Sequence, residues 1–244
     1  MSLVKYLGNL GYGTRREVTW LVEQRRVTDR DGCILRAESR IDHDTIRVDG
    51  DPLDPKPGSV LMLHKPVGSV CSTQDSTNPV IYELLPQRFR ARTPIMAPIG
   101  RLDLETSGLL LVTDDGALNH RLTSPKSHIP KVYEATLAEP LRDDAIELFA
   151  SGTLRLASEP EPMRPAQLEC LSPTQVRLTL HEGKYHQARR MFAAIGSHVT
   201  QLRRVAFGQL SLGAQAVGTW RVLDDDERAL LTTTSPRVGP PTTP

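Results

Sequence analysis

One carboxylate is marked out by what surrounds it. In Gly100-Arg101-Leu102-Asp103-Leu104-Glu105-Thr106-Ser107-Gly108-Leu109-Leu110-Leu111-Val112-Thr113-Asp114-Asp115-Gly116, Asp103 occupies a polar bend directly before an apolar run that reads as a buried strand. Gly108 suits a close backbone approach, and Asp114-Asp115-Gly116 supplies the turn that ends the strand. A carboxylate fixed at the mouth of a sheet is placed for chemistry. Arg101, two residues earlier, can hold a polyanion or steady the loop. The competing reading is a turn aspartate satisfied by its own backbone.

Other groupings fit known chemistry poorly. His181, His186, His198 and Cys170 lack any zinc-type spacing. Asp103 with Glu105, or Asp114 with Asp115, lie too close in sequence for a glycosidase pair, whose carboxylates come from separate elements about 5–9 Å apart.

The elements that must position Asp103 follow from periodicity. Leu3, Tyr6, Leu7 and Leu10 repeat at helical spacing, and Gly11-Tyr12-Gly13 stops that helix. Thr14 can cap a second helix, with Glu17 completing a capping box. Short strands at Val27, Ile34-Leu35 and Ile46-Val48 follow, and Asp54-Pro55-Lys56-Pro57-Gly58 reads as a linker. Beyond it, strands are expected over 59–63, 132–137, 175–180, 199–205 and 209–212. Helices are expected over 80–85, 117–122, 143–150 and 186–194. This mixture predicts an α+β protein, with a domain over 1–58, a second over 59–231 built on a mixed, largely antiparallel sheet, and a disordered tail over 232–244.

Composition narrows the class. No apolar run approaches the roughly 20 residues a membrane helix needs, so no membrane role is expected. Cys33, Cys71 and Cys170 are scattered, and the first residues carry no signal-type apolar segment, which together suggest the cytoplasm. The net charge of +1 does not by itself indicate nucleic-acid binding. Its distribution does: residues 177–204 carry six Lys/Arg against the single acid Glu182, and residues 1–40 carry eight against five. Two basic patches on a near-neutral body suit a protein that grips phosphates at chosen places.

The segment from Gly100 to Gly116 resembles the signature of the RsuA/RluA-type pseudouridine synthases, in which the aspartate after Gly-Arg-Leu is catalytic. His64-Lys65-Pro66-Val67-Gly68 resembles a second family segment, with His64 in place of asparagine. Pro130-Lys131-Val132-Tyr133 is similar to the family's "KxY" element, which implies that Tyr133 lies against the target base and that Lys131 meets RNA. Glu182-Gly183-Lys184-Tyr185-His186-Gln187-Ala188-Arg189-Arg190-Met191 resembles a third element. That likeness implies a counter-charge role for Arg189 beside Asp103 and a phosphate contact for Arg190. Residues 1–58 resemble an S4-type RNA-binding domain, whose counterpart residues Arg15 and Arg16 face RNA phosphates.

The resemblance implies an isomerase that detaches uracil from ribose and rejoins it through C5, with no cofactor and no metal. Whether Asp103 attacks C1′, adds to C6 or removes a ribose proton is left open by sequence. Thr123-Ser124-Pro125 and the run from Ser172 to Leu180 resemble the RsuA branch. The implied partner is 16S ribosomal RNA, within a small-subunit assembly intermediate, bound by a monomer. A 23S rRNA enzyme with the same motifs and an inactive S4-type assembly protein remain as alternatives.

Overall fold

Ser2 and Thr14 each accept a hydrogen bond from the backbone N–H three residues on, and so start α1 (Leu3–Asn9) and α2 (Arg15–Glu23). Glu17 returns the bond to Thr14, completing the expected capping box. The two helices pack Leu3, Leu7 and Val18 against Ile46 and against Val27 and Val48 of a small antiparallel sheet. Its strands are β1 (Val27–Thr28), β2 (Arg47–Val48) and β3 (Asp51–Pro52). This computed structural model describes residues 1–231; the tail 232–244 lies outside the described residues.

The second unit is built on β4 (Val60–Lys65), β5 (Ala97–Ile99), β6 (Thr106–Thr113), β7 (Lys131–Leu137), β8 (Gln167–Ser172), β9 (Gln175–Leu180), β10 (Val199–Phe207), β11 (Leu210–Ser211) and β12 (Trp220–Val222). The sheet runs β12-β4-β6-β10-β7-β9-β8, with β5 added to β6 and β11 to β10. Only β6 and β10 pair in parallel among these described strands, so the mixed, largely antiparallel sheet matches expectation. β4 and β6 read as unbroken apolar runs because both faces are covered. Met62, Leu109 and Leu111 enter one core, while Leu61, Leu63, Leu110 and Val112 enter another. A third core lies under α5 (Ala145–Ser151) and α6 (Gln187–Ala194), around Phe149, Met191 and Phe192.

Several elements differ from the sequence expectation. The helix expected over 80–85 is a 3-10 turn, Ile81–Leu84, followed by α3 (Gln87–Arg90). The helix α4 (Gly116–Thr123) agrees closely with 117–122. Strands β3, β5, β8 and β12 and the helix α7 (Asp225–Leu230) were not expected, and the strand expected at Ile34-Leu35 is a single bridge from Ile34 to Thr28. β12 has three residues, and β8 is a sheet edge with only Leu168 buried, so neither carries a clear alternating pattern.

The linker is not a free hinge. Arg92, fully buried, pairs with Asp114 at 3.1 Å and also donates to Pro55 O. Asp114 in turn accepts from Gly58 N at 2.7 Å. Arg88 pairs with Asp54 at 2.6 Å and lies over the Tyr12 ring. A Cβ on Gly11 would stand 2.2 Å from Arg88 O. The Pro-rich composition predicts a chain break, but side chains from the larger unit clamp that segment on both sides.

Candidate active site

The loop carrying Asp103 lies between β5 and β6 and is held from beneath by Lys65, the last residue of β4. Its ammonium is fully buried and donates to the carbonyls of Pro66 (3.0 Å), Asp103 (3.1 Å) and Thr106 (2.8 Å). Burial lowers the Lys65 pKa, while Cys71 and Asp103 oppose that shift. Gly68 N donates to Leu104 O at 2.8 Å, and Leu102 N donates to Cys71 Sγ at 3.4 Å. The segment from His64 to Gly68 therefore works as a bracket that fixes the loop backbone.

Gly108 performs the close approach its sequence context suggests. It sits at φ +110° in parallel register with Arg204 of β10, and a Cβ there would lie 2.2 Å from Arg204 O. Arg204 is in turn the cross-strand partner of Tyr133 on β7. Directly opposed residues share a sheet face, so Arg204 and Tyr133 project together. Both line a cleft of about 550 Å³ that also contains Asp103, Arg101 and Lys131. Five of the eight expected site residues thus fall into two groups: Asp103, Tyr133, Arg101 and Lys131 share this cleft, whereas Arg189 does not.

The ionisable side chain at Asp103 is His186, whose Nε2 lies 3.4 Å from Oδ1. His186 adopts the left-handed backbone region (φ 46°) just before α6, an uncommon conformation for a residue with a side chain. Its ring stacks on Tyr185 at 4.0 Å, and Tyr185 is 72% exposed at the cleft. The turn is tied in place by Gln187, which donates to Glu182 at 2.7 Å.

The expected ion pair between Arg189 and Asp103 is not formed. Arg189 donates to Val199 O (2.8 Å) and Glu105 O (3.1 Å), and lines a separate cleft beside Glu105 and His198. The α6 helix turns this guanidinium toward the start of β10, so it braces the back of the loop whose front carries Asp103. Arg190, expected at phosphate, is also engaged: it pairs with Glu159 at 2.9 Å, and Lys184 takes the other Glu159 oxygen at 3.0 Å. Arg101 is exposed and has no partner among the described residues, while Arg15 and Arg16 are exposed on α2, outside the cleft.

Besides Arg101, two buried or half-buried cations at the cleft have no counter-ion among the described residues. Arg204 is 3% exposed, and its one hydrogen bond runs from Nε to Leu109 O at 2.8 Å. Its Nη2 is buried with no acceptor. The Lys131 ammonium makes no ion pair or hydrogen bond among the described residues and lies 5.8 Å from the Phe207 ring centre. Burial, with the Arg204 charge adding to it and Glu182 opposing, lowers its pKa to about 8. Sequence reasoning assigned no role to Lys65, Tyr185, His186 or Arg204, although the first three lie inside the motifs and the last in the basic patch. What the motifs lacked was direction: spacing does not say which way each side chain turns.

The family model for RNA pseudouridylate synthase matches residues 59–194. Ribosomal small subunit pseudouridine synthase A of Escherichia coli strain K12 is 45% identical over 190 residues, spanning 77% of this chain and 80% of that one. The protein of the same name from Yersinia pestis is 40% identical over 233 residues, 94% of this chain and 97% of its own. A crystal structure of a pseudouridylate synthase superposes with a TM-score of 0.67 at 36% identity, over 95% of this chain and 99% of that chain.

Proposed function

The chain belongs to the RNA pseudouridylate synthase family, and from that premise we propose that it converts a uridine of small-subunit ribosomal RNA to pseudouridine. The observation that carries the reading is that Asp103 and Tyr133 line one cleft of about 550 Å³, room enough for a pyrimidine nucleotide. The small-subunit target is supported by the names of relatives that match along most of both chains.

In this reading Asp103 acts at the ribose–base junction and its backbone is held still by Lys65. Tyr133 packs against the uracil, where stacking contributes roughly 1–3 kcal/mol per base. Arg101, exposed at the rim, meets a phosphate. Arg15 and Arg16 on α2 make the N-terminal unit an S4-like RNA contact, so that chemistry and capture reside on different units. The substrate is an assembly intermediate of the small subunit, and the enzyme acts as a cytoplasmic monomer. Arg189 and Arg190 serve as braces of the α6 turn, because their guanidiniums are already bound.

The test is pseudouridine mapping of all rRNA from cells lacking the gene, together with tritium release from 5-tritiated uridine in rRNA fragments by the purified protein. Loss of one small-subunit pseudouridine, restored by the wild-type chain and not by Asp103→Asn, is the expected result. Loss of a site in the large subunit instead would replace the target, and unchanged rRNA would overturn the reading.

A further inference from the structure

A guanidinium in the interior without a carboxylate is costly unless something else completes it. Arg204 is such a group: almost wholly buried, bonded through Nε alone, and flanked by a second cation, Lys131. Among the described residues neither forms an ion pair, and both lie against the Phe207 ring at 5.5 and 5.8 Å. Glu182, the acid that acts on Lys131 from a distance, is occupied by Gln187 and by the backbone N–H of Arg164. The other cations of the neighbourhood, Lys184 and Arg190, are neutralised by Glu159. Apart from Arg101 at the exposed rim, the uncompensated positive charge of the cleft among the described residues is therefore the buried pair on the Tyr133 side.

Resting on the proposed uridine isomerisation, we infer that Arg204 and Lys131 form an anion hole for the uracil ring, binding its carbonyl edge as negative charge develops there. When the bond from C1′ to N1 breaks, its electron pair leaves with the base, and the charge spreads from N1 onto O2 and O4. The ring then returns an electron pair to form the bond from C5 to C1′. N1 takes up a proton and C5 releases one to water, so nothing is gained or lost overall. Cations fixed in a site that excludes water favour the charged intermediate over the neutral nucleotide, which is how such groups accelerate reactions.

A flat ring fits this subsite better than a phosphate does. The walls beside Arg204 are Leu180, Leu202 and Phe207, all buried and apolar. Tyr133, the register partner of Arg204, presents an aromatic side chain on the same sheet face. Gly108 lets the Arg204 backbone pack against β6, a Cβ there standing 2.2 Å from Arg204 O, and the Arg204 side chain then bonds Leu109 O.

The experiment uses the full chain and an rRNA fragment on which the wild type turns over; without wild-type turnover on any rRNA, the functional reading itself fails and the subsite is not what failed. Arg204→Gln and Lys131→Met are compared with wild type in single-turnover tritium release and in RNA binding across salt concentrations. The expected result is a rate loss on the order of 10²–10³ for Arg204→Gln, the usual size for removing one charge-stabilising donor, with affinity and its salt dependence unchanged. A fragment with 5-fluorouridine at the target, consumed in a single turnover, should narrow that loss, because fluorine withdraws charge from the same ring. Equal losses on both substrates, or a loss confined to affinity with a shallower salt slope, would overturn the inference, the second outcome indicating a phosphate grip. Should Arg204→Gln fail to fold by circular dichroism, Lys131→Met decides alone, since its ammonium holds no bond within the protein. A wild-type rate in that variant would also overturn the inference.

Discussion

Among the described residues, Asp103 has a histidine, and no lysine or arginine, within ion-pair distance. Its side chain is one-third exposed, so its charge can be removed without stranding a buried partner. Asp103→Asn should leave thermal unfolding within about 0.5 kcal/mol of wild type while abolishing tritium release. Retained turnover would show that another group does the chemistry. Arg189→Ala should behave differently. It strips donors from Val199 O and Glu105 O, and bonds from a charged donor are worth about 1.5–3 kcal/mol each. A measurable fall in stability is expected alongside any loss of rate, whereas a counter-charge to Asp103 would change rate alone. At Lys131 the pKa lies at about 8, below the ordinary lysine value, so the free enzyme loses this cation as pH rises through that region. If the charge is used on uracil, kcat/KM should decline above pH 8, since that parameter reports groups of the free enzyme. Lys131→Arg, which keeps its charge, should move the decline upward. The sign for stability is opposite. Between about pH 8 and the ordinary lysine range the unfolded chain binds the extra proton, so this residue makes folding more favourable as pH rises.

At the scale of elements, the Asp103 loop is only as rigid as its bracket. Lys65→Met keeps the bulk of the β4 terminus and removes the donor to the carbonyls of Pro66, Asp103 and Thr106. Pro66 O and Asp103 O keep the Ser69 hydroxyl and Thr106 N as donors, so the loss falls mainly on Thr106 O, where an unsatisfied buried carbonyl costs about 1–3 kcal/mol. Stability and turnover should both fall, read by thermal unfolding and tritium release. Unchanged activity would mean that the loop is positioned from elsewhere. The pairing of β6 with β10 is similarly intolerant at Gly108, where a methyl group meets Arg204 O. The expected helix and strand boundaries held best where an element buries a full stripe or face, as in α4 and β9. They were least informative at β5 and β12, three residues each, whose existence depends on a neighbouring strand offering hydrogen bonds.

For the whole molecule, the consequence of the Arg92–Asp114 pair is mechanical. It ties the segment between the two units to the end of β6, the strand that follows Asp103. Arg92→Met leaves Asp114 buried without its cation, a change that typically costs 3–5 kcal/mol. Stability should fall by about that amount in denaturant unfolding, and the unit over 1–58 should become more susceptible to proteolytic release. A stable, protease-resistant variant would show that the clamp is dispensable. Arg15→Ala with Arg16→Ala should weaken rRNA binding and flatten its salt dependence by about one unit per lost phosphate contact, leaving single-turnover chemistry intact.

Sequence alone marked the alternating and helical stripes, the capping box at Thr14, the turn after β6 and the candidate carboxylate, Asp103. Each depends on chain neighbours, whose geometry is local: period 2 or 3.6, a cap three residues away, a glycine where backbones meet. A motif of fixed spacing also singled out Tyr133 and Lys131 as candidates, and both line the cleft with Asp103. The tertiary structure alone decided what faces what. Arg189 and Arg190 lie in the same motif, yet the α6 helix and its left-handed start at His186 turn them toward Val199 and Glu159, and leave His186 beside Asp103. Arg204 is far from Asp103 in sequence and gains its place only when β10 pairs with β6 and β7. Partners across a sheet, and the burial that leaves a cation without a counter-ion, arise from long-range pairing that no local pattern encodes.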